Sequence, residues 1–305
     1  MCGLEGAPSP NAVRAPGVVT PLTVVLATRD GARPLEPVLA ALTPQLRASG
    51  ADAVVICGSG EAAPAGLDGD VTWIATRGSN LLEMRLMAIE HARGVVLAFG
   101  EDHAVPGPGW VDAVLRAHRE HPYAAMVVGC LVNATDATVA GRANFLAFAA
   151  PFAPPMKVLP SRPPPFSTVS IKQRELEFPF ANPGDVESKL VPKLIEEGAA
   201  VCDDRIVVHH CQDHGAWWSV VNAFVNARAN YGYAHESVSR ARRNEVVRWI
   251  GSTLLARQIG EVWAGRPMMR SPLDFVLGVV LSAATTLGAV VGTMTGPGRA
   301  ADRVA

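Results

Sequence analysis

An α/β fold on a mainly parallel, doubly wound sheet is what this 305-residue sequence predicts. Three observations predict it. Short apolar runs alternate with segments of helical period through the first half of the chain, the pattern of β-α units joined by right-handed crossovers. The runs end in glycine or polar residues. One of them, Gly94–Phe99, leads through Gly100 into three consecutive metal-capable side chains, Glu101, Asp102 and His103.

Taken in order, LTVVLATRD (Leu22–Asp30) reads as the first strand, followed by a helix with Leu35, Val38, Leu39, Leu42 and Leu46 on one face. Ala51–Gly60 is a second strand that closes on Gly58 and Ser59, and Val71–Gly78 is a third. The next helix carries Leu82, Leu86 and Ile89 at spacings of four and three and stops before Gly94. After the acidic strand end, the prolines and glycines of 106–109 break the chain, and Trp110–His118 begins a helix with Val111, Val114, Leu115 and His118 on one side. Ala124–Leu131 is a candidate buried strand. Seven prolines within residues 151–165 exclude regular structure there, leaving either a loop over the site or a rigid surface connection. Ser167–Leu176 contains a short apolar run followed by Lys172 and Arg174. A helix over 183–198 has Val186, Leu190, Val191, Leu194 and Ile195 on its apolar face, and a strand running into HHCQDHG precedes a helix from Trp217.

Composition narrows the class. Net charge is −1, from 27 basic and 28 acidic residues, so no basic field points to nucleic acid. Five cysteines without a CxxC pair suit a reducing compartment better than a disulfide framework. Residues 1–20 lack a continuous apolar stretch and read as a disordered leader rather than a signal peptide. Near the other end, Phe275–Met294 carries no charge over a length sufficient to cross a bilayer, so 273–295 is expected to be a transmembrane or membrane-associated helix. Gly288 and Gly292 form a small-xxx-small pair there that lets helices approach, or simply reflect glycine-rich composition. Residues 236–272 are amphipathic, as a surface-lying or core-packed helix would be. Arg240, Arg242, Arg243, Arg248, Arg257, Arg266 and Arg270 precede the apolar run, against Arg299 and Arg303 after it, which orients the preceding domain, 21–235, to the cytoplasm. Residues 296–305 are a tail.

In an open α/β sheet ligands gather beyond the carboxyl ends of the strands, where Glu101, Asp102 and His103 fall. Carboxylate with imidazole can hold a divalent cation that bridges phosphate oxygens, and the mixture suits Mn²⁺ better than Mg²⁺. The plain alternative is a solvated acidic turn. Asp185 and Glu187 open the 183–198 helix, where its dipole already favours carboxylates, so either is an ordinary helix-end charge or a base. His209, His210, Cys211, Asp213 and His214 could bind zinc, although structural zinc sites usually draw on two separated ligand pairs.

The run from Arg85 through Ala88, Ala92 and Gly94 to the acidic cluster and Trp110 resembles the donor-site core of inverting family 2 glycosyltransferases of the GT-A fold. Their pattern is Arg-Asn-x-Gly-x-x-x-Ala-x-Gly, an apolar strand, Asp-x-Asp, then Pro-x-x-Trp. Leu86 and Ala88 stand where Asn and Gly are usual, and Glu-Asp-His replaces Asp-x-Asp, a form associated with a bacterial subgroup. The resemblance covers Leu22 to about Trp110. It implies a nucleotide-sugar donor contacted by Thr28, Arg29, Asp30, Gly58, Ser59, Arg85, Glu101 and Asp102. It further implies Mn²⁺ or Mg²⁺ on Asp102, His103 and His209 (His210 being the adjacent alternative), and Glu187, or else Asp185, as catalytic base. Ile56 and Cys57 occupy the positions where relatives carry the uracil-binding acid, so a non-uridine nucleotide or a polyprenyl-phosphate sugar is open as donor. Ser167–Leu176 resembles the strand and basic turn that these relatives place before the acceptor helix, where Lys172 and Arg174 can meet phosphate. The implied acceptor is a glycan or lipid-linked sugar, at the cytoplasmic face of a bacterial inner membrane. Two alternatives stay open: a weakened GT-A pseudoenzyme that binds nucleotide sugar or a partner at the membrane, and a zinc-dependent hydrolase using His209–His214.

Overall fold

The computed structural model describes residues 19–303 except 68, 161, 177–179, 181, 212, 213 and 237. The expected leader, up to residue 18, and Asp213 therefore lie outside the described residues. Eight strands form one sheet: β1 (Thr20–Thr28), β2 (Asp52–Cys57), β3 (Val71–Ala75), β4 (Gly94–Phe99), β5 (Ala104–Pro106), β6 (Met126–Asn133), β7 (Val169–Lys172) and β8 (Ala200–His210), in the order β3-β2-β1-β4-β7-β6-β8-β5. The first four are parallel, each followed by polar or glycine residues as the alternating pattern requires. The second half is mixed: β7 lies antiparallel between β4 and β6, and β5 runs antiparallel to β8.

Only residues 100–103 separate β4 from β5, although three strands stand between them in hydrogen-bond order. That short link closes only if the sheet curls. The curl is built at a register shift between Val128 and Cys130, where a Cβ on Gly129 would sit 2.5 Å from Ile206 Cγ2. The far end of β8 thereby returns beside the Glu101–His103 turn, and the backbone N–H of Cys211 donates to the carbonyl of His103 at 2.7 Å.

Helices α1 (Glu36–Ser49) and α3 (Trp110–Glu120) cover one face of the sheet, packing Leu35, Leu42, Leu46, Val111 and Val114 on Leu22, Val24, Leu26 and Val55. The other face holds α2 (Leu81–His91), through Met84 and Ala88, with Phe99, Phe152, Phe166 and Ile171. Asn80 and Glu83 form a reciprocal capping box that fixes where α2 begins. The helix expected over 183–198 is split: Val186–Leu190 is a π-helical turn, and α4 (Val139–Phe148), which lies ahead of the proline-rich stretch, and α5 (Val191–Glu196) are the regular helices of this region. The proline-rich stretch buries Phe152 and Met156 against that second face of the sheet, and its described residues do not line the cleft described below.

The C-terminal third is helical, with α6 (Ala216–Ala234), α7 (Arg240–Trp249), α8 (Leu255–Ala264) and the apolar α9 (Pro272–Thr295). α6 and α9 run side by side in the same direction: Gly288 faces the carbonyl of Phe224 and Gly292 that of Arg228, so close that a Cβ on either glycine would lie 2.2 Å from the oxygen. The small-xxx-small pair is therefore a packing seam. Arg142 on α4 holds the start of α9 by a two-pronged ion pair with the fully buried Asp274, at 2.9 and 3.0 Å.

Candidate active site

A cleft of about 390 Å³ opens beyond the carboxyl ends of β1 and β4. Its polar wall is Arg29, Asp30, Arg85, Glu101, Asp102 and His103; its opposite wall is His214, just ahead of α6, and α6 itself, presenting Trp218, Val221, Asn222 and Val225, with Arg303 from the turn Gly298–Arg303. The cover over the cleft is thus α6 and the turn ending at Arg303, where proline count offered residues 151–165 as a loop over the site. Trp218 stacks on His214 with ring centroids 3.7 Å apart.

The polar wall is an ordered array. Thr28 donates from Oγ1 to Asp102 Oδ2 at 3.1 Å. Asp102 in turn accepts at Oδ1 from His103 Nδ1 at 2.9 Å, a bond that places the His103 proton on Nδ1 because a carboxylate only accepts. Nε2 of the same ring then faces Glu101 Oε2 at 3.6 Å. Arg85, nearly buried on α2, binds Glu101 Oε1 through Nη2 at 2.9 Å and Glu187 Oε1 through Nη1, with its guanidinium 5.0 Å from the Phe166 ring centroid. One cation thus joins the β4 strand end to the π-helical turn, a local geometry common at functional sites.

Burial tends to raise the Glu101 carboxyl, but the positive charges of His103 and Arg85 outweigh it and hold Glu101 below the usual carboxylate range. Asp102 is held low in the same way, burial being outweighed by its hydrogen bond to His103. Burial tends to lower His103, yet the hydrogen bond to Asp102 and the charges of Glu101 and Asp102 leave it raised. His210 is pushed down to about 4 by burial and by the neighbouring His103, so at neutral pH its imidazole is uncharged. Glu187 is raised, chiefly by burial, with Arg85 opposing and Glu101 assisting.

Glu101, His103 and His210 offer one ligand atom each, all within 4.8 Å of one another, and the His103 and His210 rings meet edge to face at 4.9 Å. Of the expected ligands the structure brings His103 into this group, whereas Asp102 stands behind it, orienting the imidazole as a carboxylate does for a metal-bound histidine. His209, partnered in register with Val105, lies on the opposite side of the strand near Gly107. Neighbouring strand residues face opposite ways, and the sequence does not show which face looks onto the site. With His103 Nε2 deprotonated, as metal binding requires, one carboxylate and two imidazoles fit a borderline divalent cation better than Mg²⁺.

Arg29 and Asp30 line the cleft. Thr28 supports it through Asp102, and the Gly58 N–H bonds to the Thr28 carbonyl at 2.8 Å, so the β2 turn abuts the β1 end although Gly58 and Ser59 are not part of the lining. Ile56 and Cys57 are wholly buried. Glu187 does not line the cleft and reaches it through Arg85. Asp185 is buried, paired with Lys189 at 2.7 Å and accepting from the Asn182 N–H. His214 stacks on Trp218 and does not join His209 or His210 in a ligand group among the described residues.

No protein-family model matches the sequence, and no curated protein does. Solved structures match in fold. The mannosyltransferase PcManGT from Pyrobaculum calidifontis, in complex with GDP-Man and Mn²⁺, aligns with a TM-score of 0.52 at 15% identity, over 94% of this chain and 89% of that one. The chain shares its fold with a mannosyltransferase. A mycobacterial protein (TM-score 0.44, 15% identity, 68% of this chain and 73% of that one) and TarS from S. aureus in complex with UDP (0.43, 11%, 88% and 90%) are more distant matches. Trp218, Asn222 and Arg303 went unmarked in the sequence because α6 and the tail enter the cleft from far along the chain.

Proposed function

We propose that the protein is an inverting family 2 glycosyltransferase, moving a hexosyl group from a nucleoside-diphosphate sugar to a glycan or lipid-linked acceptor. The observation that carries the reading is the Glu101–Arg85–Glu187 array, set beside a three-ligand cluster at the carboxyl ends of parallel strands in a mannosyltransferase-like fold. Glu101, His103 and His210 would hold the cation. When bound, it supplies positive charge against the departing diphosphate.

The protein's own residues do the rest. Arg29, Arg85 and Arg303 face the same cleft and complement a diphosphate. Trp218 offers an aromatic face for a sugar or base. Inversion needs the acceptor hydroxyl deprotonated as it attacks opposite the leaving group, and Glu187 is the base assigned to it. Burial raises its carboxyl and so favours proton uptake, and with Oε1 on Arg85, Oε2 is the atom that takes the proton. Because Ile56 and Cys57 are core residues, base recognition falls to the Thr28–Asp30 strand end, and the donor nucleotide need not be uridine.

The deciding experiment is thermal stabilisation against a panel of nucleoside diphosphates and nucleotide sugars with and without Mn²⁺ or Mg²⁺, followed by release of nucleoside diphosphate with glycan acceptors. Metal-dependent stabilisation with turnover establishes the transferase. Stabilisation without turnover across acceptors favours the weakened, binding-only form. Tight stoichiometric zinc on Glu101, His103 and His210 with no nucleotide effect would favour a hydrolase, since two histidines and a glutamate also form a catalytic zinc set.

A further inference from the structure

α9 divides into two faces. The buried face is mostly small or polar, Gly278, Ser282, Thr286, Gly288, Gly292 and Thr293 around the apolar Leu281 and Ala289, with Thr286 donating to Gln258 of α8 at 3.2 Å. The outward face carries Leu273, Val276, Val280, Leu287 and Met294, each between 43% and 61% exposed, at spacings that keep them on one stripe along about 36 Å of helix. The only acid of the helix, Asp274, is fully buried under Arg142. A helix that crossed a bilayer alone would have to leave α6 and α8, stripping that ion pair and the glycine seam.

α6 continues the stripe. At about 100° per residue, Trp217 lies on the line of Phe224 and Arg228, which meet α9 further along, and Val221 lies between that line and Trp218, Asn222 and Val225 and lines the cleft; both are exposed. Trp217 and Val221 are thus exposed on the helix that packs along α9. An apolar strip therefore runs from α9 over Trp217 and Val221 to the rim of the cleft. Exposed arginines bracket it, Arg270 before α9, ion-paired with Asp136, and Arg299 and Arg303 after it, Arg303 lining the cleft itself with Asp302 beside it in sequence. Two copies pairing in parallel would set Arg299 and Arg303 against their own counterparts, whereas an anionic lipid surface complements the excess positive charge at that end.

We propose that this strip is a monotopic docking surface for an anionic bilayer: α9 lies in the interface without crossing it, and the cleft opens at the membrane. Resting on the glycosyltransferase reading, the acceptor is then bilayer-borne, its lipid chain leaving the cleft along Val221 and Trp217.

The test is flotation of the full chain with phosphatidylglycerol–phosphatidylcholine vesicles, alongside the Val280→Asp/Leu287→Asp pair and the milder Val280→Ser/Leu287→Ser pair. Wild type floats and is released by alkaline carbonate. Both pairs keep wild-type thermal stability and nucleotide-dependent stabilisation but bind vesicles at least about tenfold more weakly. Vesicle binding is read without nucleotide, so it fails or holds independently of the catalytic reading. Unchanged flotation of both pairs, retention after carbonate, or a wild-type dimer that the substitutions split without any vesicle binding would each overturn the proposal.

Discussion

Arg85 and Glu187, 102 residues apart, form an ion pair that ties α2 to the π-helical turn, with Glu101 on the same guanidinium. Removing the cation would leave two mostly buried carboxylates facing one another. Arg85→Met is expected to lower stability by about 3–5 kcal/mol, read by urea unfolding, because a buried pair broken from one side leaves its partner uncompensated. Glu187→Gln keeps an oxygen for Arg85 and is expected to unfold near the wild-type midpoint while turnover falls about 10²–10⁴-fold, the usual worth of a general base. Near-normal turnover in that variant would remove Glu187 from the mechanism.

The two adjacent histidines of β8 separate the ligand assignments. His210→Ala is expected to abolish the Mn²⁺-dependent rise in thermal stability, and His209→Ala to retain it, measured by thermal denaturation across a metal titration. At a hundredfold excess over Kd a bound ion contributes about 2.7 kcal/mol, well above the resolution of such a scan. Loss in His209→Ala with retention in His210→Ala would return the site to the arrangement the family resemblance implies.

Much of this was legible in the chain. The apolar runs marked β1 to β4 closely, since each is a buried parallel strand punctuated by glycine, and the Glu101–His103 turn marked the sheet edge that carries the site. The antiparallel insertion of β7 was not legible, because Val169–Lys172 is four residues long and its partners are set by the curl at Gly129 rather than by its own pattern. The split of the 183–198 helix escaped for a related reason: Val186, Leu190 and Leu194 keep one apolar face whether the turn is α or π. Trp218 and Arg303 reach the cleft through α6 and α9 packing, and no local pattern encodes a meeting of residues so distant in sequence.

Two helical glycines, Gly292 in the α6–α9 seam and Gly260 on α8, give opposite signs. Gly292→Ala would press a methyl onto the Arg228 carbonyl and is expected to destabilise by about 1–3 kcal/mol, the usual cost of overpacking. Gly260→Ala on α8 meets nothing within 4 Å and should stabilise by about 1 kcal/mol through helix propensity alone. Chemical denaturation of the two variants checks both, and equal effects would mean the seam is looser than the structure shows.

His118 supplies a pH dependence away from the site. Its Nε2 lies 2.9 Å from Ser170 Oγ, and that hydroxyl donates to the Val127 carbonyl, so the imidazole is the donor in the pair and is buried in its neutral form. Burial, assisted by the charge of Lys172, lowers it from 6.5 to about 4. The unfolded chain therefore binds the extra proton first, and stability that is complete above pH 6.5 is lost as pH falls towards 4, by up to about 1.4 kcal/mol per pH unit. His118→Gln retains a donor for Ser170 and removes the titration. Urea midpoints at pH 7 and pH 5 should thus diverge in the wild type and draw together in the variant; an unchanged divergence would place the acid sensitivity elsewhere in the fold.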